Sequence, residues 1–152
     1  MLFLLFRLGQ DRYAIEAKQV AEVLPMLSVK QIPQAPAAVR GAFDFRGQPV
    51  PLIDLSQLAL GRPARDHLST RIVLVHCPDG RGGERLLGLV AEHVTETFRR
   101  QASDFRDSGV DLPEARWLGP VASDVGGLVQ WVQVDELLSP ELRALLFPAE
   151  AA

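Results

Sequence analysis

The chain has 152 residues, enough for one substantial domain or two small ones sharing a core. Apolar residues make up 47% and charged ones 23%, and a net charge of -3 with no basic stripe argues against a nucleic-acid partner. Cys77 is the only cysteine, so no internal disulfide can form, and no apolar run reaches membrane-spanning length; a cytoplasmic protein is expected. The opening Met1–Phe6 is apolar, but it is too short for a signal core and Arg7 interrupts it at once.

Leu2 to Leu8 reads as a buried strand, Gly9-Gln10-Asp11 as a turn, and Arg12 to Glu16 as the partner strand. From Glu16 to Leu24 the pattern fits a short helix and a strand equally well. Pro25 to Pro36 is a proline-punctuated connector with apolar anchors at Leu27, Val29 and Ile32. From Val39 to Phe45 every second residue (Val39, Gly41, Phe43, Phe45) is apolar or small, which marks a strand with one face in a core. Gly47-Gln48 suits a two-residue type II′ turn with glycine first. The returning strand carries Pro49 and Pro51, which cannot donate to a ladder, so it belongs at a sheet edge or beside a bulge. Arg46 then stands at the tip of a stiff hairpin, facing away from the core. Asp44, two residues back on the same face, is placed to pair with and orient its guanidinium.

Asp54 can cap a helical turn running through Leu60 and ended by Gly61 and Pro63. Gly61 to Leu68 is polar and suits a seam between two subdomains. Arg71 to Cys77 reads as a strand buried on both faces, and Pro78 to Gly83 as a turn. Arg85 to Arg100 returns as a strand, bent near Ala91-Glu92 where the alternation slips phase. Gln101 to Glu114 is a polar surface loop. Trp117 to Ser123 and Leu128 to Val134 are the closing strands, turned at Asp124-Val125-Gly126-Gly127. Ser139-Pro140-Glu141 opens a final helix whose apolar stripe is Leu142, Leu145 and Leu146. Nine or ten short strands with glycine or proline at nearly every corner indicate closed or nearly closed small barrels.

No constellation points to catalysis, a metal or a cofactor. His67, His76 and His93 lie on different elements without the paired spacing of a zinc site, and read as structural or surface histidines. Cys77 ends an apolar strand beside His76, and neighbours on a strand face opposite ways, so the two form no thiol–imidazole pair. Gly80-Arg81-Gly82-Gly83 joins strand to strand, whereas a phosphate cradle needs a following helix. Asp104, Asp107 and Asp111 are spaced loosely like calcium ligands but lack the closing bidentate glutamate. Trp117 and Trp131 read as core or rim packing.

The stretch Ile32–Leu55 resembles the signature of CheW-like coupling proteins of bacterial chemosensory systems. Its parts are Pro33 and Pro36, the strand Val39-Arg40-Gly41, the tip Asp44-Phe45-Arg46-Gly47, and the ending Pro51-Leu52-Ile53-Asp54-Leu55. Asp44 stands where that family mostly has asparagine. The resemblance implies a mainly β fold of two small five-stranded SH3-like barrels packed together, with a short C-terminal helix. Laid onto residues 1–147, it gives a first barrel over 1–64, a second over 65–134 with strand exchange, and a helix over 139–147. It also implies a helical turn around Ala17 to Gln19 followed by a strand through Leu24. The implied function is a non-enzymatic adaptor, without cofactor or metal, linking a chemoreceptor's cytoplasmic signalling tip to the regulatory domain of a CheA-like histidine kinase. The partner-binding positions it implies are Arg46, with Asp44 and Gly47 at the same tip, and Val20 and Glu22. The strand Leu128–Val132 and the short N-terminus are similar to coupling proteins of Wsp-type surface-sensing pathways. The competing expectation is a small barrel that binds a ligand or nucleic acid, which would need basic and aromatic residues alternating on one face.

Overall fold

The computed structural model describes residues 1–149 and is built mainly from strands. β1 (Leu2–Leu8) turns at Gly9-Gln10 into β2 (Asp11–Glu16). A 3-10 turn over Ala17–Gln19 follows and leads into β3 (Val20–Pro25), so the ambiguous stretch is a turn and then a strand. β4 (Val39–Phe45) and β5 (Gln48–Asp54) form the central hairpin, and α1 (Leu55–Leu60) continues from β5. β6 (Arg71–Pro78) and the 16-residue β7 (Glu84–Arg99) come next. β8 (Leu118–Asp124), β9 (Gly127–Val132) and α2 (Pro140–Leu146) close the described chain.

β7 belongs to two sheets. Its first half pairs antiparallel with β6, from Pro78 opposite Glu84 to Arg71 opposite Ala91, and Gly88 to Val90 also pair in parallel with Leu52 to Asp54 of β5. Its second half pairs with β1. The strand order is therefore β3-β6-β7-β5-β4 on one side and β7-β1-β2-β9-β8 on the other, five strands in each set with β7 in common. The change of partner falls at a bulge: Arg7 faces Glu92 while Leu5 faces Glu96, and His93 takes a φ of 50°. That is where the phase slip in the sequence placed a bend.

The pairing does not follow a cut near residue 65. β1 and β2, within the 1–64 segment, join β8 and β9, whereas β6, from the 65–134 segment, joins β3. The contacts that decide this are between hairpins distant in sequence. They are set by which apolar faces fit together, and no local turn encodes them.

Alternate residues of the same strands feed different cores. On β6, Val73, Val75 and Cys77 enter a large shared core, while Ile72 and Leu74 enter a smaller one. On β7, Leu87, Leu89 and Ala91 face the shared core and Val90 the smaller one. On β1, Phe6 and Leu8 face the shared core, while Phe3 and Leu5 join a third with Phe105, Ala122 and Val129. The third is aromatic, with Phe3 and Phe105 ring centres 5.2 Å apart and Phe105 and Trp131 5.0 Å apart. Two sheets thus each carry their own core and bury their other faces against one another. Each fully buried Leu, Val or Ile side chain contributes roughly 1.5–3 kcal/mol, so the shared core locks the halves together.

Two expectations are revised. The segment from Gln101 to Glu114 is polar but not a free loop, because Phe105 is 8% exposed in the aromatic core and Arg106 pairs with Val121 through both backbone groups. In α2 the Ser139 hydroxyl accepts the cap bond from Leu142 N as the sequence indicates. Leu142 and Leu146 pack inward, but Leu145 is 54% exposed. One helical step of about 100° turns it off the apolar stripe, and Phe147, just past the helix end, fills the core instead.

The connector between β3 and β4 lies tightly on the hairpin. Lys30 and Ala42 exchange backbone hydrogen bonds of 2.8 and 2.9 Å. Gly41 sits beneath this pair at a φ of +137°, and a Cβ there would stand 2.1 Å from the Lys30 carbonyl oxygen. Gly41→Ala should therefore destabilise the fold by about 3 kcal/mol or more, from backbone strain plus overpacking, as read by urea denaturation. Cys77 is fully buried, and burial pushes its thiol up to about 11. Unfolding returns the thiol to its ordinary value, so this group's contribution to stability falls as the pH rises between the two. The native protein should resist thiol-reactive dyes at pH 8 and label only on unfolding; rapid native labelling would contradict the placement.

Candidate functional site

Phe45 pairs with Gln48, so the two loop residues of the central hairpin are Arg46 and Gly47, one position earlier than the sequence suggested. Both have positive φ, 52° and 84°, the signature of a type I′ turn rather than type II′. The right-handed twist of the strands favours this turn, and Gly47 makes it accessible at the second position. At Pro49 and Pro51 the pairing is with β4, and the parallel pairing with β7 starts only at Leu52. The prolines therefore occupy the part of β5 where a missing donor costs least.

Asp44 does not orient Arg46. Its Oδ1 accepts the Gly47 N–H at 2.8 Å, bracing the turn from within. A side-chain amide oxygen could take the same bond, so aspartate in place of asparagine leaves this brace intact. The Arg46 guanidinium instead crosses to β3, where Nη2 lies 3.2 Å from Glu22 Oε2. Its Cζ also stands 4.7 Å from the centre of the Phe45 ring. The side chain stays 75% exposed and that of Glu22 38%, so the pair is a surface one, worth at most about 1 kcal/mol. A partner's carboxylate or amide can compete for this cation at little cost.

Asp44, Arg46, Gly47 and Glu22 thus form one cluster. Val20, two residues before Glu22, is half-buried, pairs with Val75, and packs against the shared core. Its place is support for β3 rather than an exposed contact. Val23 on β3 and Leu27 and Ile32 on the connector are apolar and 38%, 39% and 43% exposed; Val23 follows Glu22 directly and so faces the other side of β3.

The base of the hairpin holds a buried polar network that sequence reasoning found only in part. Asp54 is fully buried and caps α1 through Gln57 N at 3.2 Å, as expected. Its other oxygen also accepts from Ala64 N at 2.9 Å and from Arg40 Nη1 at 3.0 Å. Glu92, at the bulge in β7, accepts from Ser56 Oγ and Arg65 N, each at 3.3 Å. The signals were Arg40 on the outward phase of β4 and the slip at Glu92. Neither names its partner, because both partners come from the segment between residues 54 and 70.

A model of the CheW-like domain matches residues 2–141. The chain belongs to the CheW-like family. A chemotaxis protein CheW of Klebsiella aerogenes is 30% identical over 148 residues, spanning 95% of this chain and 85% of its own length. Protein FrzA of Myxococcus xanthus is 28% identical over 102 residues, 67% of this chain and 61% of its own. Among solved structures, the scaffolding protein TtCheW from Thermoanaerobacter tengcongensis superposes with a TM-score of 0.78 over 91% of this chain and 87% of that one, at 19% identity. That likeness is one of fold. With the CheW-like family comes the role of a coupling adaptor in chemosensory signalling.

In this CheW-like chain the tip depends on Asp54, because one carboxylate ties β4, α1 and the loop at Ala64 together. Asp54→Ala removes a helix cap, leaves a buried N–H unpaired and frees Arg40. Stability should drop by about 3 kcal/mol in chemical denaturation. A loss of a few tenths would show that the network is dispensable.

Proposed function

We propose that the chain is a non-enzymatic adaptor that binds the helical cytoplasmic tip of a chemoreceptor and the regulatory domain of a CheA-like histidine kinase. The observation that carries this reading is Arg46, an exposed guanidinium held on a two-residue turn between stiffened strands and restrained by a surface pair with Glu22 and a contact with the Phe45 ring. A cation ordered before docking loses little conformational entropy when it meets a partner. Leu27 and Ile32, exposed on the connector that lies along the hairpin, supply apolar surface that a receptor helix can desolvate beside the charged contact.

Coupling in this reading involves no covalent step; signal passes through the geometry of two rigid contacts. The shared core suits that task, since a packed core transmits displacement without absorbing it. No helix of the described residues is long and apolar enough to cross a membrane, which fits a cytoplasmic adaptor reaching the membrane through its receptor. The competing ligand- or nucleic-acid-binding barrel would need outward aromatic platforms. Phe3, Phe105 and Trp117 are buried instead, and Trp131 packs on Phe3 and Phe105.

Arg46→Ala should weaken binding to a receptor signalling fragment by on the order of 1–3 kcal/mol in calorimetric titration. Its unfolding midpoint should stay at the wild-type value, because the side chain is exposed. An unchanged dissociation constant would remove Arg46 from the contact.

A further inference from the structure

The fold brings together two histidines that lie 26 positions apart on different elements. His67 is on the strap between α1 and β6, and His93 is at the bulge in β7. Their ring centres stand 5.5 Å apart with planes inclined by 29°. Both side chains are exposed. We propose that His67 and His93 form a two-imidazole site for a borderline divalent cation such as zinc, bridging the strap to β7 where it passes between the two sheets.

Geometry comes first. Imidazole nitrogens sit about 2.0–2.1 Å from zinc, so in a tetrahedral site two ring centres stand roughly 5 Å apart. The observed separation is close to that, and in the proposed site His93 keeps its orientation while the His67 ring turns about its side-chain torsions to bring one nitrogen onto the same ion. Orientation comes second. Ser69 Oγ lies 3.3 Å from His93 Nδ1. With Nδ1–H donating to that hydroxyl, the Nε2 lone pair of His93 faces outward, the tautomer a metal requires, and the serine acts as the outer partner that fixes the ring.

The backbone is rigid on both sides. Val94 N donates to Ser69 O at 3.0 Å, His67 N donates to Thr70 Oγ1 at 3.2 Å, and Thr70 N donates to His67 O at 3.1 Å. His93 itself is held at a φ of 50°, an uncommon conformation for a residue other than glycine. The bulge fixes the direction of its side chain rather than leaving the ring to wander.

The charges around the pair do not oppose a cation strongly. The cleft beside His93 contains Arg7, Arg12 and Glu96. Arg12 is engaged by Asp124, and the cleft holds one carboxylate, Glu96, beside Arg7. No group of three or more His, Cys, Asp or Glu side chains able to hold a metal occurs among the described residues. In the proposed site the ion takes its remaining ligands from water, and imidazole ligands suit zinc, copper or nickel rather than magnesium or calcium.

Zinc chloride titrated into the full chain by calorimetry, with the imidazole proton resonances followed by NMR, tests this directly. One equivalent should bind, shifting the ring protons of His67 and His93 and raising the melting temperature. His67→Gln and His93→Gln should each weaken binding at least tenfold, with circular dichroism unchanged, and His76→Gln should bind like wild type. No saturable binding by about 1 mM zinc, where affinity is too weak to count as a site, would overturn the proposal. So would wild-type affinity in either His67→Gln or His93→Gln.

Discussion

From Gly88 to Val90, β7 is hydrogen-bonded along both edges and buried on both faces, and the architecture follows from that one strand. A strand so enclosed cannot carry polar residues in either phase, which is why Leu86 to Ala91 is apolar except for Gly88. Gly88 is small for a packing reason. A Cβ there would stand 2.7 Å from Phe43 and 2.9 Å from Leu52, where the hairpin closes over the strand. With both faces used, β7 can serve two cores at once, and at the bulge it moves from one sheet to the other. Two five-stranded halves become one body without a separate linker.

The candidate site inherits its stiffness from that arrangement. β5 docks on β7 through Leu52 to Asp54, Asp54 ties the hairpin base to α1 and to the loop at Ala64, and the Lys30–Ala42 pair clamps the outer strand. Order therefore increases toward the base, while at the tip Asp44 braces the turn and the Arg46 side chain keeps only weak contacts with Glu22 and the Phe45 ring. This is a suitable distribution for an adaptor in the CheW-like family. Binding energy is not consumed in ordering the hairpin, yet the exposed guanidinium stays free to change partners.

The two buried carboxylates divide the task of closing the molecule. Asp54 secures the hairpin side. Glu92, held by Ser56 and Arg65, secures the strap against β7 beside the paired histidines. Asp54 accepts from two backbone N–H groups and Arg40, and one Glu92 oxygen accepts from a hydroxyl and a backbone N–H, so each carboxylate organises several chain segments at once. A buried acid with several donors is costly to strip of any one of them, and this makes the strap part of the framework rather than a loose seam.

Local features were legible in the sequence because local physics sets them. Alternation marked the strands, Asp54 and Ser139 marked the helix caps, and the slip near Ala91-Glu92 marked the bend. The motif from Ile32 to Leu55 pointed to the CheW-like family. The type of the tip turn was misjudged because glycine satisfies either of two loops, and the choice rests on the register that Phe45 and Gln48 adopt. What the sequence could not determine was everything that depends on two distant segments meeting. The joining of β1 and β2 with β8 and β9, the crossing of Arg46 to Glu22, and the stacking of His67 on His93 are of this kind. Each depends on how apolar faces from separate hairpins fit together, and that fit exists only once the cores have formed.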